Sequence, residues 1–264
     1  MNTSKVAVVT GSSSGIGRAI AIHLADAGYD VLLHGNLNLI GLNETARLIA
    51  DIRGKSSVRI CTADIRDRFA CQRFVETAFA WQGRVDAWVN NAGADVLTGS
   101  ASKLPFEDRL QLLLDVDVSA TIRLSRLVAA KWLANGVLPS QPSVVNIGWD
   151  QANLGMEGEP GQLFGTCKTA VEAFTRSFAL SVGPTIRANC VAPGWIQTAW
   201  GEQSASGFWH ERAESESIMQ RWGTPDDVAA AVQWLVSPRA QFINGQVIPV
   251  NGGRRFYPSE NKTR

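Results

Sequence analysis

Short, continuously apolar runs alternate with longer amphipathic stretches along most of the chain. The runs at 5–10 (KVAVVT), 30–35, 57–62, 86–90, 143–148 (SVVNIG), 186–191 and 246–250 predict strands, and helical patterns lie between most of them. Strands that are apolar at nearly every position belong in a sheet covered on both faces, and their alternation with helices is the pattern of parallel βαβ units. The predicted fold class is therefore α/β, a single doubly wound parallel sheet of about seven strands with helices on both faces. Long helices are expected around 105–134 and 162–182. Thr224-Pro225-Asp226-Asp227 marks another helix start, with a threonine cap, proline at the first helical position and two carboxylates against the positive end of the helix dipole. No internal repeat is visible. The expected domain spans 1–253, followed by a disordered polar tail at 254–264.

Bulk properties narrow the function. At 264 residues and 45% hydrophobic, the chain has enough apolar material for one large core. Its 25 basic and 24 acidic residues leave no positive field to attract nucleic acid or an anionic membrane. Cys61, Cys71, Cys167 and Cys190 fall inside predicted strands and helices without metal-ligand spacing, so reduced thiols and no metal site are expected. The first strand begins at once without a signal-peptide pattern, and no apolar run has membrane-spanning length, which makes cytoplasmic the expected location.

The first strand breaks into Gly11-Ser12-Ser13-Ser14-Gly15-Ile16-Gly17 and then a helix. Such a turn directs backbone N–H groups and a helix dipole at a pyrophosphate: Gly11 for the tight turn, Gly15 for close approach of phosphate, Gly17 for helix-to-strand packing. Farther on come Ala63-Asp64-Ile65, Asn90-Asn91-Ala92-Gly93, the strand ending Val144 to Gly148, Lys168, the run Pro193 to Thr198, and NGQVIPVNGG near the end. In that order these motifs resemble the short-chain dehydrogenase/reductase family through residue 253. The resemblance implies a Rossmann-type fold, a nicotinamide dinucleotide cofactor and oxidoreductase chemistry on a small molecule. It places Gly11, Ser13, Ser14, Gly15, Ile16 and Gly17 on the phosphates, Asp64 and Ile65 on the adenine, Asn91, Ala92 and Gly93 on the ribose, and Pro193, Gly194, Ile196 and Thr198 by the carboxamide. At the end of the second strand, where an acid would select NAD, the chain has Gly35 and then Asn36. No acid repels a 2′-phosphate, and no arginine replaces it at Ser14 or Asn36; His34, Ser14 and Asn36 either bind a phosphate or solvate a turn. The reading favours NADP(H) over NAD(H).

At the catalytic positions the chain departs from the family pattern. Lys168 matches the family lysine, but the tyrosine position one helical turn before it is Phe164, and the helix asparagine position is Asp117 in LLLDVDVSAT. Counting from the fifth strand puts Trp149 at the serine position and counting back from Phe164 puts Gln151 there, with Asp150 between. Tyr29 and Tyr257 are the remaining phenols, and neither is near in sequence. The peroxisomal type of 2,4-dienoyl-CoA reductase within the family is similar in lacking the tyrosine, keeping the lysine and carrying an Asp-x-Asp run like Asp115-Val116-Asp117. Asp117 reads either as half of a proton path with Lys168 or as the counter-charge of a buried ammonium. Asp150 reads as catalytic or as solvated loop, and His210 as an acid or a surface histidine. The resemblance implies that a segment at about 195–222 covers the substrate; Trp149, Trp195, Trp200, Trp209 and Trp222, with Phe164 and Phe208, read either as core or, the favoured reading, as an apolar or planar pocket.

Two functions follow. One is an NADPH-dependent reductase of an activated conjugated C=C or carbonyl acceptor with an altered proton path. The other is a nucleotide-binding or regulatory protein with impaired catalysis. By resemblance, the long helices at 105–134 and 162–182 imply a homotetramer or dimer.

Overall fold

The computed structural model describes residues 4–134, 141–198 and 207–255, apart from the side chains of Phe208 and His210. Those two side chains, Trp200, Tyr257 and residues 256–264 of the expected tail lie outside what is described. Seven strands, β1 (Lys5–Val9), β2 (Tyr29–Gly35), β3 (Val58–Thr62), β4 (Ala87–Asn90), β5 (Ser143–Ile147), β6 (Arg187–Pro193) and β7 (Val247–Val250), form one sheet. Their order is β3-β2-β1-β4-β5-β6-β7, and every neighbouring pair is parallel. All seven predicted strands are present; continuous apolarity marks the buried inner strands, while β3 and β7 at the two edges are only partly buried.

The two-residue strand period divides the core. Ala7 and Val9 of β1 face α1 (Gly15–Asp26), α2 (Leu39–Arg53) and the helix Pro225–Val236. Val8 faces the other way, towards α3 (Arg68–Gln82), the helix Ala120–Ala134 and the helix Gly158–Val182. In chain order the later helices are α4 (Phe106–Leu113), α5 (Ala120–Ala134), α6 (Gly158–Val182), α7 (Gly207–Glu216) and α8 (Pro225–Val236). A smaller cluster of Val96, Leu113, Leu163 and Cys167 packs α4 on α6.

Polar groups in the middle of this core are satisfied in series. Asn90 Nδ2 donates to Ser125 Oγ and Asn146 Oδ1, each at 2.9 Å, and Asn146 Nδ2 donates to Thr175 Oγ1 at 2.8 Å. Trp88, itself fully buried, donates from its indole to Asn90 Oδ1 at 2.8 Å. This ladder ties β4, β5, α5 and α6 into one register. Removing a rung leaves a buried partner unsatisfied, at a cost of about 1–3 kcal/mol.

The helix start at Thr224 is as expected: Thr224 Oγ1 accepts from Asp227 N–H, and Asp227 Oδ2 accepts from Thr224 N–H at 2.7 Å. Two expectations change. The helical stretch 106–134 is interrupted by a wide π-helical turn, Leu114–Ser119. The tail does not begin at 254, because Arg254 pairs with Ser217 in an antiparallel bridge and Arg255 N–H donates to the Glu216 carbonyl at 2.8 Å. Since the chain reverses its direction of sheet growth between β1 and β4, a crevice opens beyond their carboxyl ends.

Candidate active site

The glycine loop fills one end of that crevice. Gly11 and Gly15 have φ of 64° and 53°, a region open mainly to glycine. A Cβ on Gly11 would lie 2.7 Å from Ala92 Cα, and one on Gly17 would collide with the Gly11 carbonyl. At Gly15 the nearest atom is the Thr198 methyl at 3.6 Å, so this glycine keeps open space at the N-terminus of α1. The loop is braced by Asn91, whose Nδ2 donates to the carbonyls of Thr10 (3.0 Å) and Gly11 (3.1 Å). Thr10 Oγ1 accepts from Asn91 and Ala92 N–H, both at 2.9 Å.

A cavity of 970 Å³ runs from this loop to Lys168. Gly11, Ser13, Ser14, Ile16, Gly17, Asn36, Asp64, Ile65, Asn91, Ala92, Gly93, Lys168, Pro193, Gly194, Ile196 and Thr198 all line it. Gly15 is not among the lining residues, although it faces Thr198. The open backbone at Gly15, the helix N-terminus beside it and the length of the cleft fit a dinucleotide.

Beyond β2, a Cβ on Gly35 would sit 2.9 Å from Leu42 Cδ1, so the buried Leu42 takes the space next to the strand end. His34 is buried, and its Nε2 donates to the Ala63 carbonyl at 3.1 Å. Burial lowers its pKa to about 4, which makes it a neutral group at neutral pH and not a cation for a phosphate. Asn36 is exposed at the turn. Sequence reasoning missed Arg66. It lines the cavity and forks onto Asp64, with Nε at 2.9 and 3.0 Å from the two carboxylate oxygens and Nη2 at 2.6 Å. This arginine holds the Asp64 carboxyl below the usual range. Its position in Ala-Asp-Ile-Arg, one residue past the adenine-side pair, was the available signal.

At the other end the π-helical turn carries Asp117, only 2% exposed. Its Oδ1 accepts from Ala94 N–H at 2.8 Å, and its Oδ2 lies 2.9 Å from Lys168 Nζ. Lys168 also donates to the Ile147 carbonyl at 3.3 Å. Trp149 and Phe164 line the cavity beside this pair, their rings edge to face at 6.4 Å and 69°. Of the three residues weighed for the serine position, only Trp149 lines it. Gln151 is buried elsewhere with neither amide atom partnered. Asp150, expected in the site or in solvent, is in neither: its side chain is 6% exposed, accepts from Asn251 Nδ2 at 3.0 Å and lies 4.0 Å from Arg254. Burial pushes its pKa up.

Trp195, Trp209 and Trp222 complete the lining at this end, with Trp195 within 5.4 Å of Trp209 and 6.1 Å of Trp222. Arg212 of α7 lies over Trp195 and Trp209 and pairs with Glu157 and Glu216, joining α7 to the loop before α6. Among the described residues, no cluster of three or more His, Cys, Asp or Glu could hold a metal ion, and no helix is long and apolar enough to cross a membrane.

A family model described as enoyl-(acyl carrier protein) reductase matches residues 11–255. The chain belongs to the short-chain dehydrogenase/reductase family. Like other members of this family of NAD(P)-dependent oxidoreductases, it is similar to glucose 1-dehydrogenase 2 of Bacillus subtilis, with 30% identity over 98% of this chain and 97% of the relative. Peroxisomal 2,4-dienoyl-CoA reductase of Danio rerio is 31% identical over 95% of this chain and 81% of its own. A short-chain dehydrogenase from Burkholderia cenocepacia, solved in complex with NADP, superposes with a TM-score of 0.82 at 30% identity, covering 94% of this chain and 97% of that one.

Proposed function

We propose that this short-chain dehydrogenase/reductase is an NADPH-dependent reductase of a conjugated, activated small apolar acceptor, working through an altered proton path. The observation that carries the reading is the 2.9 Å pair of Lys168 Nζ and Asp117 Oδ2 at the end of the cavity, beside Trp149 and Phe164, which bear no hydroxyl. A plain ketone becomes an alkoxide that must be protonated as it forms, and losing a general acid there costs roughly 10²- to 10⁴-fold. An enone or enoyl compound is less demanding. A bound reduced nicotinamide supplies the hydride; a C–H bond forms at the β-carbon, the C=C pair moves towards the carbonyl oxygen, and the α-carbon then takes a proton from water. In this reading Lys168 faces the negative charge that develops on the acceptor oxygen, Asp117 holds the ammonium in place, and the two relay the proton from water. The aromatic residues orient the acceptor and exclude bulk water.

NADP(H) is favoured over NAD(H) because no carboxylate stands at Gly35 and the buried Leu42 occupies the space a side chain there would enter. The NADP held by the Burkholderia relative is in keeping with this choice.

The test is turnover. At least one compound in a panel of enones, enoyl thioesters and diketones should oxidise NADPH, and Asp117→Asn should slow that turnover by roughly 10²-fold with NADPH affinity nearly unchanged. The hydroxyl-free wall also favours a second reading, a nucleotide-binding protein with impaired catalysis. Tight NADPH binding with no turnover across the panel would select it.

A further inference from the structure

Around Lys168 the cavity wall is made largely of indole and phenyl rings and, among the described residues, holds no unpaired cation. Trp149 follows β5, Phe164 sits on α6, Trp195 follows β6 and Trp209 sits on α7, and all four line the cavity. Trp195 donates its indole N–H to Glu216 at 3.0 Å, so its polar edge is satisfied while the ring lines the cavity. Flat faces at this density favour a flat, unsaturated ligand, since ring contacts add to the gain from burial.

Charge bears on how that ligand arrives. Among the described residues the cavity lining contains two cations, Arg66 and Lys168, and each is already paired with a carboxylate, Asp64 and Asp117. Outside the lining, Arg109 of α4 is paired with Glu159, and Arg212, which lies over Trp195 and Trp209, with Glu157 and Glu216. Asp95, which also lines the cavity, adds a further carboxylate that caps the N–H groups of Leu97 and Thr98. A coenzyme A or carrier-protein thioester brings phosphates, which are held by free guanidinium, ammonium or N–H groups. Among the described residues, the cavity lining therefore holds no cation left over for a carrier's phosphates, and it carries the further acid Asp95.

On the reading that the Lys168 end is a reaction site, we propose that the acceptor is an uncharged, flat, aryl-conjugated carbonyl compound taken up free from solution, not as a coenzyme A or carrier-protein thioester. The reacting unit lies against Trp149 and Phe164, and its aryl part against Trp195 and Trp209.

Benzylideneacetone and cinnamoyl-CoA carry the same styryl carbonyl unit, one free and one on the carrier. Calorimetry on the protein saturated with NADP⁺ should give benzylideneacetone a Kd at least roughly tenfold below that of cinnamoyl-CoA, and Trp209→Leu or Phe164→Leu should weaken it by up to roughly tenfold. Unchanged NADP⁺ affinity in each variant reports that it has folded, and the two variants lie on different helices. Equal or tighter binding of cinnamoyl-CoA overturns the proposal, as does binding of neither compound. Benzylideneacetone that binds but does not oxidise NADPH upholds the acceptor class while removing the proton path, so the two ideas fail separately.

Discussion

Lys168 keeps its place while the groups around it change, and single substitutions here separate chemistry from binding. Lys168→Ala is expected to lower both turnover and nucleotide affinity, because the lysine pairs with Asp117 and lines the same cavity as the glycine loop; paired kinetics and titration read the two losses. Phe164→Tyr returns a phenol one turn from Lys168. It should raise reduction of a dialkyl ketone towards the lower end of the roughly 10²- to 10⁴-fold that a general acid provides, with Trp149 limiting access. His34 gives a pH test. Its folded pKa of about 4 is below the unfolded value near 6.5, so its stabilisation is complete above pH 6.5 and is lost as pH falls through that window. The difference is worth about 3 kcal/mol at most. In His34→Gln, denaturant titrations between pH 6.5 and 4 should show a smaller loss than wild type. Residues such as Phe164 and Asp117 were legible in the sequence because their spacing to fixed motifs is short. Asp150 was not, because adjacent loop residues turn to opposite sides and only packing decides which enters the cavity.

Elements were easier to read than the sites they carry. The helix start at Thr224 is local chemistry, since the cap, the proline and the reciprocal aspartate lie within four residues. Thr224→Ala should therefore cost about 1 kcal/mol, seen as a melting temperature lower by roughly 2–4 °C. Asp227 belongs to the same device, and Arg221 beside it holds its carboxyl well below the usual carboxylate range. Such a group stabilises above the ordinary carboxylate pKa and loses its contribution as pH falls through the folded value, so the cap weakens in acid. The wide turn at Leu114–Ser119 was hidden for the opposite reason. Its residues Leu-Asp-Val-Asp-Val-Ser alternate with a period of two inside a longer helical stretch, a pattern that does not announce a widened turn, and in the fold Asp117 of this turn meets Ala94 and Lys168.

At the scale of the molecule, the outer surfaces of α5 and α6 carry large exposed apolar side chains, with Leu133 55% and Leu180 87% exposed. Association into a dimer or tetramer would cover them, and light scattering at micromolar concentration should give a multiple of the 28.5 kDa chain mass; a monomer alone would rule it out. The strand order was legible as a class, since alternating helices and apolar strands require a parallel sheet, but which strands become neighbours depends on long-range pairing. That pairing has a kinetic consequence. The glycine loop is braced by Asn91, about 80 positions further along, and β1 acquires its second neighbour only when β4 docks. A nascent or refolding chain can thus build β1, β2 and β3 with their helices while the phosphate cradle is still unformed. Non-local contacts of this kind form late, because the intervening chain must first be closed. Refolding followed by far-ultraviolet signal and by capture of NADPH should show two separate phases, with nucleotide capture the slower.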